Sequence, residues 1–245
     1  MDTHPQASFE PRKTPVQARS EATVEAIFEA TSQVLLEVGL DLLTTTRVAE
    51  RAGVSVGTLY QYFPNKHSLL FSLGERHLNR VADAVVRACQ RNHGQPVATM
   101  IESVVQAFVE AKMERADVSM ALYATANGRE ATALVKKVGK RAQIALASML
   151  ATASDAQFAD LPFTSLMLYS AMGGATRAVL EAGASPKMVR LLRKQLVLLG
   201  RGFLMNVATR RRSRGLPPLD LLSAQRAPGA STGTRAPSPP SIRLE

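Results

Sequence analysis

The sequence is poor in cysteine and aromatic residues, and it contains no long apolar run. Cys89 is its only cysteine, which excludes an internal disulfide framework and a zinc site built from several cysteines. A reducing cytoplasm is therefore the expected compartment. No stretch of about 18 or more consecutive apolar residues occurs, so no membrane span is expected. Residues 1–20 lack the apolar segment that a secretory signal peptide requires.

Tryptophan is absent and aromatic residues make up only 5%, so a core must be built from Leu, Val, Ala and Met, which suit helices. Apolar residues account for 46% of the 245 residues, enough for one large or two small domains. The net charge of +10 is compatible with a nucleic-acid partner. Residues 1–95, however, carry ten basic and ten acidic side chains. The excess lies further along the chain, and net charge alone does not establish DNA binding.

Apolar residues recur at helical spacing through most of the chain, and glycine, proline and asparagine divide the helices. The first helix is expected from Glu21 to Gly39. No run alternates with period two for long enough to predict a strand. The further predicted helices cover 45–52, 56–62, 66–91, 97–115, 117–126, 129–152, 162–182 and 186–208.

The most informative segment is TTTRVAERAGVSVGTLYQYFPNKHSLL, residues 44–70. Two short helices flank a turn at Gly53, where glycine adopts the left-handed backbone at little cost. Ala49, Val54 and Leu59 are spaced to hold the two helices together. One of the threonines at 44–46 is expected to cap the first helix, and Ser55 the second. This pattern predicts a helix-turn-helix.

The second of these helices has the residues that reading DNA requires. Small residues at its start allow its first turn to enter a major groove about 12 Å wide. Its N-terminal amides can meet a phosphate, and so can the ammonium of Lys66. The side chains that we expect it to present are those of Ser55, Val56, Gly57, Thr58, Tyr60, Gln61 and Tyr62.

Residues 19–70 closely resemble the DNA-binding domain of the TetR family of repressors, above all in AGVS-x-GTLY-x-YF-x-NK. The resemblance implies an all-α homodimer with an N-terminal three-helix DNA-binding domain and a C-terminal helical ligand-binding and dimerisation domain. It also implies a double-stranded DNA operator as partner. By match to the motif, the implied DNA-facing residues are Thr44 or Thr45, Arg47, Ser55, Thr58, Tyr60, Tyr62 and Lys66.

With this resemblance, four regions are expected: a flexible basic arm (1–18), the helix-turn-helix domain (19–66, with a linking helix 65–91), the effector and dimerisation domain (96–208) and a disordered tail (213–245). Arg12, Lys13 and Arg19 either follow the DNA backbone or belong to a solvated tail. The arginines at 210, 211, 212 and 214 either bind nucleic acid or simply end a helix favourably.

The C-terminal half has apolar residues for which two interpretations stay open, an effector pocket or a plain core. Methionine adapts to irregular ligands, so these side chains predict a small, mostly apolar effector. Asn127 and Arg177 are the candidate polar anchors. The candidate pocket residues are Phe108, Met113, Met120, Tyr123, Phe163, Met167 and Met172.

The last two predicted helices correspond to the dimer interface that the family resemblance implies. Gly173 and Gly174 each weaken a helix by roughly 1 kcal/mol, which a close helix crossing would offset. The interface candidates are Leu166, Gly173, Gly174, Arg177, Leu180, Leu192, Val197, Leu199, Gly200 and Phe203.

No catalytic, metal or cofactor site is predicted. His67 and His77 lie ten positions apart on one predicted helix, which is not a metal-ligand spacing, and Cys89 is expected to be buried. Two alternatives to a ligand-responsive repressor stay open: a regulator or activator without an effector, and an enzyme built on a helical bundle. The lack of any cluster of acids, bases or metal ligands in the sequence weighs against the enzyme.

Overall fold

The computed structural model describes residues 18–125 and 129–210, which form an all-α fold. Most of the predicted arm, the whole predicted tail and the candidate anchor Asn127 lie outside these residues. In the described part, each helix begins and ends within two residues of its predicted bounds, apart from α1. The helices are α1 (Ala18–Leu42), α2 (Thr45–Ala52), α3 (Val56–Tyr62), α4 (Lys66–Arg91), α5 (Val97–Glu114), α6 (Ala116–Thr125), α7 (Arg129–Leu150), α8 (Leu161–Glu181) and α9 (Pro186–Val207).

Side-chain caps define the starts of the three helices that follow α1. The Thr44 hydroxyl accepts a hydrogen bond from the backbone N–H of Arg47, so Thr44 is the capping threonine. Ser55 Oγ accepts the N–H of Thr58 at 2.9 Å, and Asn65 Oδ1 accepts that of Ser68 at 2.8 Å. These bonds satisfy N–H groups that have no partner inside the helix.

The first helix breaks at Gly39, as predicted, and a short helical segment follows the kink to Leu42. The backbone of Gly39 has φ 74° and ψ 176°. Only glycine adopts this conformation without strain. The start of the helix, at Ala18, lies three residues before the predicted one.

Two short β-strands, which the sequence did not predict, follow helices α7 and α9. Residues Ala156–Phe158 (β1) pair antiparallel with Ala208–Arg210 (β2). Three residues are too few to show an alternating pattern, which explains the wrong prediction of no strand. The pair joins the end of α9 to the loop between α7 and α8.

Two large cores and a smaller cluster organise the helices. The first core lies inside the helix-turn-helix, and Ala121 of α6 packs into it. The second lies among the helices from α4 onward. Leu122, the neighbour of Ala121, belongs instead to the smaller cluster, with Leu78 and Ala82 of α4 and Leu134 and Val138 of α7. Helix α6 therefore contributes to both halves of the molecule.

Within the single chain, the close helix crossing occurs at Gly200 rather than at Gly173 and Gly174. A Cβ built on Gly200 would lie 2.6 Å from Cγ1 of Ile101 on α5, whereas one built on either of the other two would meet nothing within 4 Å. Leu180, Leu192 and Gly200 are buried within the protomer, so their assignment to a dimer interface was wrong. Within the described residues, no helix is long and apolar enough to span a bilayer.

Candidate functional site

Helix α3 presents a polar face on a buried anchor. Leu59 is fully buried, and it fixes the helix against α2 and the rest of the helix-turn-helix core. Around it, Ser55, Gly57 and Gln61 are exposed, and Tyr60 is 40% exposed. Val56 and Thr58 are half-buried. The first turn of α3 is therefore open to a partner and carries small side chains.

Helix α2 adds hydroxyl and guanidinium groups beside this face. Thr45 Oγ1 lies 3.0 Å from the hydroxyl oxygen of Tyr60, so the two predicted DNA-facing residues meet across the turn. Thr44 and Arg47 are exposed, and Arg47 Nη1 donates a hydrogen bond to the carbonyl of Leu42 at 2.9 Å. The structure thus brings Thr45 of α2 against Tyr60 of α3, whereas Arg47 bonds the end of α1.

Tyr62 does not belong to the exposed face. Its side chain is only 8% exposed and packs in the helix-turn-helix core, and its hydroxyl lies 2.7 Å from Oγ of Ser20. The prediction that helix α3 presents this ring to DNA was wrong. The reason is helical periodicity: Tyr62 lies three positions after the buried Leu59, on the same side of the helix.

Lys66 lies at the start of α4, where a phosphate contact was predicted. Its ammonium donates a hydrogen bond to the carbonyl oxygen of Leu40 at 2.7 Å, and the side chain is half-buried. Leu40 follows the kink at Gly39, so this bond holds the end of α1 against α4. An ammonium has three N–H groups, which leaves donors for a phosphate.

A second group of polar and aromatic side chains meets around Tyr123 of α6. Lys112 Nζ on α5 donates to the Tyr123 hydroxyl at 3.3 Å and lies 5.2 Å from the ring centroid. The guanidinium of Arg177 on α8 lies 5.1 Å from the same centroid. Phe108, one turn before Lys112, packs edge-to-face with Tyr169 at 5.8 Å between ring centroids. Both cations can thus interact with the electron-rich ring of Tyr123.

Burial determines the protonation states of Lys112, Tyr123 and Tyr169. Desolvation lowers the pKa of Lys112 to about 8, so its ammonium is charged at neutral pH. It raises the pKa of Tyr169 to about 12, with a further contribution from the nearby Tyr123 phenol, whose pKa is also raised. Both phenols are therefore neutral and able to donate hydrogen bonds.

His77 of α4 is connected to the same group through hydrogen bonds. Its Nε2 lies 2.7 Å from Oγ of Ser119 on α6, and that hydroxyl donates to the Lys112 carbonyl at 3.3 Å. Burial, and then the positive charges of Lys112, Arg80 and Arg115, lower the pKa of His77 to about 3. The imidazole is neutral and connects α4, α5 and α6. No group of three potential metal ligands occurs within the part of the chain that the structure describes.

The predicted pocket residues separate into three sets. Arg177 lies on the Tyr123 ring, whereas Phe108 packs with Tyr169. That these residues line an effector pocket stays a prediction, and Asn127 lies outside the described residues. Met172 is buried in the second core, and Met113 packs against it, while Met120 is half-buried.

Phe163 and Met167 form the third set, because they are 57% and 44% exposed on the outer side of α8. Their assignment to a pocket lining was wrong: an outward-facing apolar side chain and a buried one have the same pattern in a sequence.

Sequence reasoning missed Lys112, Ser119 and Tyr169. A signal for Lys112 was present, since it follows Val105, Phe108 and Val109 at helical spacing on an otherwise apolar face.

Comparison with known proteins identifies both halves of the chain. Residues 27–73 match the family of bacterial regulatory proteins described as the tetR family, and residues 96–204 match the tetracyclin repressor-like C-terminal domain. The class C tetracycline repressor protein of Escherichia coli is 44% identical over 54 residues, which cover 22% of this chain and 25% of that protein. The chain spans about a quarter to a half of the length of the curated relatives it matches.

Solved structures share the fold over most of the chain. A TetR-family regulator from Mesorhizobium loti superposes with a TM-score of 0.66 at 16% identity, over 79% of this chain and 100% of that one. The complex of SmeT with triclosan superposes with a TM-score of 0.58 at 22% identity, over 80% and 96% of the two chains.

Proposed function

Because this chain belongs to the TetR family of DNA-binding transcriptional regulators, we propose that it is a repressor that binds an inverted-repeat operator as a homodimer. A small effector bound in the C-terminal half would release it. TetR-family regulators are not enzymes. The exposed first turn of α3, seated on Leu59, is the observation that carries the DNA-binding part. Since the target is operator DNA, we expect the protein to act in the cytoplasm.

In this proposal α3 lies in the major groove and α2 lies against the DNA backbone. Ser55, Gly57 and Gln61 are exposed where base edges would pass, and an amide such as that of Gln61 suits adenine. Hydroxyl, guanidinium and ammonium donors are available to phosphates from Thr44, Thr45, Thr58, Tyr60, Arg47 and Lys66. Val56 offers an apolar contact. Phosphate contacts fix the position of the protein, and base contacts supply the sequence preference.

The dimer is supported by an apolar surface on two neighbouring helices. Helices α8 and α9 pack together and expose large side chains that a monomer would leave in water. Exposed apolar patches of this kind mark interaction surfaces. A twofold axis through this surface would pair α8 and α9 of two copies, and it would demand a symmetric operator. The exposed side chains are Phe163, Leu166, Met167, Leu191, Leu198, Leu199 and Met205.

Helix α6 offers the route from effector to DNA. Tyr123 and Ser119 on this helix belong to the buried polar group, whereas Ala121 packs in the helix-turn-helix core. Just before α6, Arg115 lies 3.8 Å from a carboxylate oxygen of Glu29 on α1 and 3.0 Å from Asp117. An effector that binds one position of α6 better than another would therefore bias the placement of α1. SmeT, which shares the fold, is found in complex with triclosan, and this supports a small-molecule effector.

Footprinting of the DNA that flanks the gene tests the DNA-binding part. We expect two protected half-sites about one helical turn apart or slightly more, bound by a dimer in sedimentation experiments. Leu198→Glu should weaken dimerisation and operator binding together, whereas Gln90→Glu, on the exposed side of α4, should affect neither. A single asymmetric half-site bound by a monomer would contradict the proposal.

A regulator without an effector is the alternative, and a compound screen separates the two. We expect at least one small molecule both to raise the melting temperature and to weaken operator binding. If compounds that stabilise the protein leave operator affinity unchanged, the C-terminal half does not control DNA binding, and the effector-independent regulator is correct.

A further inference from the structure

Lys112 is a buried cation for which the described side chains provide no carboxylate partner. Its side chain is 5% exposed, on the face of α5 that also buries Val105, Phe108 and Val109. Among the side chains that the structure describes, those of residues 20–123 and 132–209, no carboxylate is paired with its ammonium. Its hydrogen-bond partner is the Tyr123 hydroxyl, which is neutral. A buried charge that is not paired destabilises a protein, so its presence requires an explanation.

The surroundings of Lys112 increase the local excess of positive charge. Arg177 lies on the same Tyr123 ring, and its own carboxylate partner is Glu181. Arg115 is paired with Asp117 and Glu29. Arg177 and Arg115 thus already have carboxylate partners, whereas Lys112 has none among the described side chains and remains the cation that a further anion would satisfy.

We propose that Lys112 binds the carboxylate of the effector, which makes the effector an apolar organic acid. This inference rests on the proposed function and specifies the chemistry of its ligand. The Tyr123 hydroxyl, already 3.3 Å from the ammonium, is placed to donate to the same carboxylate. The apolar part of the acid would contact Phe108, which lies one turn before Lys112 on α5, and the Tyr169 ring that packs against Phe108. The effector therefore carries a charge at one end, which the small, mostly apolar molecule expected from the sequence did not include.

An orphaned hydroxyl on α8 supports a polar ligand. Oγ1 of Thr176 is buried and has no hydrogen-bond partner among the described residues. Thr176 follows Tyr169 by seven positions, about two turns, which puts both on the inward side of α8. Buried hydroxyls are nearly always hydrogen-bonded in native proteins, so this one also calls for a partner.

The test compares acids with neutral analogues in the full-length protein. The probes are decanoate and 4-phenylbutyrate, each beside its primary amide, and the readouts are melting temperature, calorimetric affinity and operator affinity by fluorescence anisotropy. We expect at least one acid to bind at least tenfold tighter than its amide, to raise the melting temperature and to weaken operator binding. If both amides bind as well as their acids, or neither acid binds, the inference is wrong.

Two variants show whether Lys112 is responsible. Lys112→Met keeps the shape and removes the charge, so the ligand-free variant should melt above the wild type and should lose about tenfold to a hundredfold in affinity for the acid. Lys140→Met, at an exposed position on α7, is the control and should behave as the wild type does. A Lys112→Met protein that melts lower without ligand, or that binds the acid normally, would overturn the assignment.

The proposed function can fail separately. If the operator is released by neutral compounds and not by acids, the protein is a ligand-responsive repressor and only the carboxylate inference is wrong. If the protein does not bind the flanking DNA at all, the calorimetric difference between the wild type and Lys112→Met still decides whether Lys112 binds an acid.

Discussion

The hydroxyl oxygen of Tyr60 lies 3.0 Å from Oγ1 of Thr45. The two residues come from different helices of the helix-turn-helix, and both are accessible to solvent. Either hydroxyl can donate to the other, which leaves one proton and several lone pairs free for a phosphate oxygen. The pair therefore links the position of α2 to that of α3.

Replacement of Tyr60 by phenylalanine tests this link. Tyr60→Phe should weaken operator binding about three- to tenfold, the loss expected for one hydrogen bond of about 1 kcal/mol. The melting temperature should stay within a degree or two, because the side chain is largely exposed. In a double-mutant cycle with Thr45→Val, the combined loss should be smaller than the sum of the two single losses. Additive losses would show that the two hydroxyls act independently.

Lys66→Ala should change the salt dependence of DNA binding. One lost phosphate contact makes the slope of log affinity against log salt concentration shallower by about 0.9. Because the Lys66 ammonium also bonds the Leu40 carbonyl, the melting temperature should fall by a few degrees. His67→Ala, at the exposed neighbouring position, is the control for both readouts. An unchanged slope with a lower melting temperature would mean that Lys66 holds the end of α1 against α4 and does not contact a phosphate.

His77 should make the protein sensitive to acid. Its pKa is about 3 in the folded state against 6.5 in an unfolded chain, so below pH 6.5 protons bind preferentially to the unfolded state. The contribution to stability is complete above pH 6.5 and is lost progressively as the pH falls toward 3. Urea denaturation at pH 7 and pH 5 should show a steeper loss for the wild type than for His77→Gln. Equal losses in both proteins would mean that other groups cause the acid sensitivity.

Gly200→Ala should destabilise the effector domain, because the new methyl group would collide with Ile101. Overpacking of this kind typically costs about 1–3 kcal/mol in the free energy of unfolding. Gly202→Ala is the matched control on the same helix, where a Cβ meets nothing within 4 Å. The control should be neutral or stabilising by up to about 1 kcal/mol, since alanine favours helices. Chemical denaturation of both variants measures the difference.

Local signals explain what the sequence could predict. Ser55 and Asn65 cap helices through their own side chains, and Gly53 ends α2 with φ 67°, so these boundaries depend on a few adjacent residues. The same holds for the exposed first turn of α3. Tyr62 was wrongly assigned to the DNA-facing side of α3 because the prediction included too many positions around the helix.

Features that depend on distant contacts could not be predicted. Gly173, Gly174 and Gly200 look alike in the sequence, and only the neighbouring helix shows that Gly200 meets Ile101. Phe163 has a large apolar side chain of the kind found in protein cores, yet it is exposed to solvent in the single chain. Lys112 was passed over because a lysine is ordinarily assigned to the surface.

Helix α6 limits how freely the two halves of this protein can be exchanged with those of other regulators. A chimaera made by joining a foreign DNA-binding head to residues 96–210 would keep Ala121 and Arg115, whose partners are the helix-turn-helix core and Glu29 of the native head. No single junction between the head and the C-terminal half would therefore keep all of these contacts. Successful hybrids would have to carry matching substitutions in α6, so the head and this helix are expected to vary together in evolution.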